Sequence, residues 1–116
     1  MEIHTSFRGD ITIIDIQGRI VDGEAAESFH KELRGLIGDK KADTIFDLSG
    51  VEWFDSVAIG VLVSHYISAK RLGGKIVLLK ANEKIRKLMH MVRLEDRFRW
   101  AEEMDEALRI FEKTAG

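Results

Sequence analysis

An aspartate and a serine in succession, Asp55 and Ser56, are the residues best placed to do chemistry. They follow an apolar segment and open a second, unusually apolar one at residues 57–63. A serine hydroxyl at the start of a helix can bond free backbone N–H groups, and Asp and Ser are both preferred as helix caps. The spacing alone therefore indicates a helix cap. A functional interpretation depends on fold, because functional loops of open parallel sheets lie at the carboxyl ends of strands.

Other residue patterns give no support for catalysis or metal binding. The chain has no cysteine, and its four histidines are scattered without metal-ligand spacing, at His4, His30, His65 and His90. Ser56 lacks the Gly-x-Ser-x-Gly turn of many hydrolases. Asp55 could be the phosphate acceptor of a receiver domain, but that fold needs an acidic pair after its first strand, and Asp15 is isolated. We therefore expect no enzyme activity, no metal and no cofactor.

Length and charge narrow the class of protein. The 116 residues suggest one domain, residues 1–116, and the mix of 45% hydrophobic and 33% charged residues is that of a folded chain. The formal net charge of -2 gives no electrostatic reason to bind nucleic acid or an anionic membrane. No segment resembles a signal peptide, and the longest apolar stretch is too short to span a bilayer. We expect a cytoplasmic protein.

Hydrophobic patterning predicts five strands and four helices. The predicted strands cover residues 3–7, 11–16, 44–48, 76–79 and 98–100, the first two as a hairpin. The predicted helices run from about Ala26 to Gly38, from Ser56 to Arg71, from a cap at Asn82 to about Val92, and over residues 104–111. Strands that alternate with helices imply an α/β fold, here one domain with a mixed, mostly parallel sheet of about five strands.

The third predicted helix is locally basic, through Lys84, Arg86, Lys87 and Arg93. Charge on an exposed helix face is ordinary, so a solvated face is the simpler interpretation. A docking surface for an acidic partner is the alternative.

The run Asp55-Ser56-Val57-Ala58-Ile59-Gly60 resembles the signature of the anti-sigma factor antagonists, a family of STAS domains, usually Asp-Ser-Ser/Thr/Ala-Gly-Leu-Gly. The resemblance extends over almost the whole chain: to the strand-to-helix loop at 18–24, the run into the signature at 47–51, and the turn at 73–76. Val57 stands where a small or hydroxyl residue is usual, and Ala58 where glycine is usual. Neither departure removes the serine.

The resemblance implies a bacterial partner-switching protein. In that family the serine after the aspartate, here Ser56, is phosphorylated by an ATP-using serine kinase that is also the anti-sigma factor. The unphosphorylated antagonist binds this kinase and releases the sigma factor, and a phosphatase resets the switch. The resemblance implies a partner-binding surface formed by Asp22, Gly23, Asp55, Ser56, Val57, Ile59 and Gly60.

Two other functions remain open at this point. The first is a scaffold subunit without a switch, as in STAS proteins of signalling complexes or lipid transporters. The second is a small α/β enzyme, which would need a deep polar pocket near Ser56. The sequence leaves the oligomeric state undetermined.

Overall fold

A computed structural model describes residues 2–20, 23–38, 42–54 and 56–112, with only the backbone described at 19–20, 23–26, 37–38 and 54. In chain order the elements are β1 (Glu2–Arg8), β2 (Ile11–Ile20), α1 (Gly23–Gly38), β3 (Thr44–Phe54), α2 (Ser56–Arg71), β4 (Ile76–Leu79), α3 (Glu83–Met91), a 3₁₀ turn (Glu95–Arg97), β5 (Arg99–Ala101) and α4 (Met104–Ile110). The predicted α/β class, with five strands and four helices, is confirmed for this part of the chain.

The sheet follows the order of the chain, β1-β2-β3-β4-β5. The first two strands form the predicted antiparallel hairpin, and each later strand pairs in parallel with the one before it. Parallel neighbours require crossover connections, which α1, α2 and α3 provide. The carboxyl ends of β2, β3 and β4 consequently share one edge of the sheet.

Alternate residues of the strands point to two different cores. On one face Ile14, Phe46 and Leu78 belong to the larger core, together with buried side chains of α1, α2 and α3. On the other face Ile45 and Val77 belong to a smaller core that includes Ala107 of α4. The apolar pattern predicted for residues 44–48 is therefore explained by burial on both sides of β3, although Asp47 is half-exposed.

Two strands run further than the sequence pattern predicts. The prediction ends β2 near Gly18 and β3 at Leu48, whereas the strands end at Ile20 and Phe54 and pair with each other almost to these ends. In β3, the reason lies at Gly50. A Cβ on Gly50 would lie 2.1 Å from the side-chain oxygen of Gln17, so glycine marks a close approach here rather than a turn.

Helix α2 is buried along one side only. Its buried residues recur at helical spacing, at Ala58, Val61, Leu62, His65 and Ala69. The opposite side includes Gly60, which is exposed and whose added Cβ would meet nothing within 4 Å. No helix among the described residues has the length and apolar character needed to cross a bilayer.

His65 is a neutral polar group inside the larger core. Its side chain is 3% exposed, and its Nε2 lies 3.1 Å from the hydroxyl of Thr44. That hydroxyl donates to the carbonyl of Ala42, so its oxygen accepts from an Nε2–H of His65. Nδ1 is then the unprotonated nitrogen, and it has no hydrogen-bond partner in the described structure. Burial lowers the pKa of His65 from 6.5 to about 4.

We predict that His65 makes the fold sensitive to mild acid. Because the folded pKa of His65 lies below its ordinary value, the unfolded state binds the extra proton. The associated stability is complete above pH 6.5 and decreases as the pH falls to about 4, by about 3 kcal/mol in total. Urea unfolding between pH 7.5 and 4.5 should show a steeper loss for the wild type than for His65→Gln. The exposed His4→Gln variant is the control, and equal slopes for all three proteins would refute the prediction.

A second prediction separates the two sides of α2. Ala58→Gly should destabilise the fold by about 1.5–2 kcal/mol, because it removes a fully buried methyl group and raises the cost of helix formation. Gly60→Ala should stabilise it by about 0.5–1 kcal/mol, since the added methyl group meets open space. Denaturant midpoints of the two variants check this, and shifts of the same sign would contradict it.

Candidate partner-binding site

The pairing of β2 with β3 brings two loops to one place. Ile20 and Phe54 are paired across the two strands, and both strands end there. The chain enters α1 at Gly23 and α2 at Ser56 shortly afterwards. The loops that the sequence singled out therefore start side by side at the carboxyl edge of the sheet. Asp22 and Asp55 lie outside the described residues, so their proposed contacts remain predictions.

Ser56 is exposed and is the first residue of α2. Asp55 lies outside the described residues, so the cap role that the sequence suggested for it stays a prediction. The first turn of α2 carries no acidic residue, and its last turn carries Lys70 and Arg71. The amino end of a helix has free N–H groups and a partial positive charge, which favour a negative group there.

Two apolar side chains near Ser56 in the sequence are exposed. Trp53, three residues before it, is 39% exposed, and Val57, the next residue, is 50% exposed. Gly60, one turn further along α2, is exposed as well. Ile59 is half-buried and packs against the larger core, so it contributes less open surface than the sequence suggested. Aromatic and apolar side chains are common anchors of protein–protein contacts, so Trp53 and Val57 are candidates for such a contact.

Asn82 is a part of this site whose full role the sequence did not reveal. Its side-chain oxygen accepts from the backbone N–H of Ile85 at 2.9 Å, which confirms the predicted cap of α3. Its amide nitrogen donates to the carbonyls of Glu52 at 3.0 Å and Val51 at 3.4 Å, close to the end of β3. These contacts join positions about thirty residues apart in the chain, so no local pattern could indicate them.

Alternative chemistries find little support in the structure. The described residues hold no cluster of three or more His, Asp or Glu side chains that could bind a metal ion. Three surface depressions lie beside α3, α4 and β5, and Ser56 lines none of these three. Asp15 lies within β2, where Gln17 donates to it, and not after a strand as in a receiver domain.

The basic residues of α3 are partly neutralised. Arg86 pairs with Glu102 and lies 4.9 Å above the ring of Trp100, and Lys87 lies 3.3 Å from Glu83. This arrangement favours the solvated face over a docking surface for an acidic partner.

Comparisons with known proteins agree with the fold and with the sequence signature. The structure resembles that of a candidate anti-sigma factor antagonist from Thermotoga maritima, with a TM-score of 0.85, 23% identity, and 93% of this chain and 92% of that chain covered. It also resembles an anti-sigma factor antagonist from Mycobacterium paratuberculosis, with a TM-score of 0.79, 21% identity, and coverage of 94% and 92%.

A third similar structure is that of the Bacillus cell fate determinant SpoIIAA in its phosphorylated form, with a TM-score of 0.76. Its identity is 17%, and 94% of this chain and 99% of that chain are covered. At these identities the structures establish the fold. The family model of the STAS domain matches residues 2–107, nearly the full length. The chain belongs to the STAS domain family.

Proposed function

We propose that this protein is an anti-sigma factor antagonist of the bacterial cytoplasm whose binding to a partner is switched off by phosphorylation of Ser56. The partner is an ATP-using serine kinase that also holds a sigma factor, and a phosphatase restores the unmodified state. The observation that carries the proposal is the placement of Ser56. It is exposed as the first residue of α2, directly before the exposed Val57 and three residues after the exposed Trp53.

The placement suits a group that must change charge without disturbing the fold. A phosphate adds about −1.5 to −2 charges at neutral pH. The free N–H groups and the helix dipole at the start of α2 accommodate that charge. The core residues of the helix, such as Ala58 and Leu62, lie on its other side and would stay in place.

The same charge opposes a bound partner. A partner seated on Trp53 and Val57 would remove water from Ser56, and an unpaired ion in a desolvated interface costs several kcal/mol. The exposed Glu52 adds negative charge to the same strand end. Phosphorylation would therefore act on the interface and leave the fold unchanged.

The related structures support the switch. The name of the Mycobacterium protein states that it is an anti-sigma factor antagonist, and SpoIIAA is described in a phosphorylated form. The resemblance of residues 55–60 to the family signature implies that Ser56 corresponds to the serine phosphorylated in such proteins. We infer a binding module rather than an enzyme, so any nucleotide would belong to the kinase.

One feature favours a second function, a scaffold subunit without a switch. Val57 puts a half-exposed β-branched side chain beside Ser56, where the family usually has a small or hydroxyl residue.

The experiment that decides between the switch and the scaffold is incubation of the chain with ATP and a panel of anti-sigma serine kinases, followed by mass spectrometry. Phosphate on Ser56 supports the switch, and an unmodified chain with every kinase would favour the scaffold.

We predict that Ser56→Ala keeps the fold and partner binding but accepts no phosphate. The free energy of unfolding should change by no more than about 0.5 kcal/mol, since the side chain is exposed. Labelled ATP and a kinase that modifies the wild type give the measurement. Ser49→Ala is the matched control, because this exposed serine lies on β3, and its N–H and hydroxyl both donate to Asp47 of the same strand. If Ser56→Ala still accepted phosphate and Ser49→Ala did not, Ser49 would be the phosphate acceptor.

We predict that Ser56→Asp weakens kinase binding by at least about tenfold while the melting temperature holds or rises slightly. The carboxylate is favoured at the helix start by about 0.3–1 kcal/mol and is disfavoured inside the interface. Calorimetric titration and thermal melts of the same samples measure both effects. Ser6→Asp makes the same charge change on the edge strand β1 and should bind normally. A marked loss of thermal stability in Ser56→Asp would indicate local unfolding instead.

A further inference from the structure

The side chain of Asn82 connects α3 to the strand that ends at Ser56. The amide oxygen receives the N–H of Ile85, and the amide nitrogen donates to the carbonyls of Val51 and Glu52. The chemistry of the partners fixes this orientation, since an N–H needs an acceptor and two carbonyls need donors. All three contacts are therefore compatible only with the oxygen toward the helix and the nitrogen toward the strand.

On the β4 side, the strand pairing of β3 stops well before the strand itself ends. Strand β4 pairs with β3 only from Thr44 to Asp47, well before β3 ends at Phe54. Beyond Asp47, β3 stays paired with β2, and that pairing contains two irregularities. Asn82 donates to the carbonyls of Val51 and Glu52, which lie beyond the last residue of β3 that pairs with β4.

The other end of this connection is rigid. Helix α3 is anchored by Ile85 and Met89, which are both completely buried in the larger core. Its first turn is closed by the same Asn82 side chain that holds the strand. One amide group therefore links the end of β3 to a helix that is fixed in the core.

We propose that Asn82 is a positioning residue for Ser56: its amide nitrogen holds the end of β3 so that the serine is presented in one conformation to the kinase. The inference rests on the proposed function for the role of Ser56, whereas the restraint on β3 is independent of it. The simpler interpretation is that Asn82 only caps α3.

Two variants separate these interpretations. Ser and Asp are both good helix caps, so Asn82→Ser and Asn82→Asp keep the acceptor for Ile85 and remove both N–H donors. Hydrogen exchange should then become about tenfold faster in a peptide covering residues 51–57 and stay unchanged in one covering residues 84–91. With a serine kinase that modifies the wild type, phosphorylation of Ser56 should slow by about threefold to tenfold in kcat/KM, measured at a temperature where both proteins are fully folded.

Three results would overturn the proposal. The first is unchanged exchange in residues 51–57. The second is an equal rise in exchange in both peptides, which would mean that only the cap of α3 matters. The third is faster exchange in residues 51–57 together with a normal rate of Ser56 phosphorylation, which would leave Asn82 a purely structural residue. If no kinase modifies the wild type, the proposed function fails, and the exchange experiment still tests the restraint on β3.

Discussion

The site depends on the pairing of β2 with β3 beyond the part of the sheet that includes β4. This extension places the ends of both strands side by side, with Ile20 opposite Phe54. Gly50 leaves room in this extension for the side chain of Gln17, which a Cβ at this position would displace. The chain therefore leaves the sheet toward α1 and toward α2 from neighbouring positions.

Helix α2 divides structural and functional roles between its two sides. Ala58, Leu62 and His65 are buried and hold the helix against the sheet, whereas Ser56 and Val57 face solvent at its amino end. Added charge at that end is favourable for the helix and unfavourable for a desolvated interface. The two effects have opposite signs, and only the second requires a partner. A charge switch at Ser56 can therefore control binding without altering the fold.

Local patterns predicted the fold class, the four helices and the start of α2 at Ser56, because apolar spacing and the cap preference of Asn82 are properties of short segments. The length of β3 was predicted wrongly, since Ser49-Gly50 has the composition of a turn and the reason for glycine lies in Gln17, on another strand. The exposure of Trp53 and the contacts of the Asn82 amide depend on residues distant in the chain, so composition could not reveal them. The roles of Asp22 and Asp55 stay predictions.

The central claim is that phosphate on Ser56 and a bound partner exclude each other. The direct test is to purify the protein from its own cells, separate partner-bound from free copies by size, and measure phosphate occupancy of Ser56 in each pool by mass spectrometry. The account predicts an unmodified Ser56 in the bound pool and phosphorylated Ser56 in the free pool. Equal phosphate occupancy of Ser56 in the two pools would contradict the account. So would a difference between the pools that is confined to phosphate on another serine.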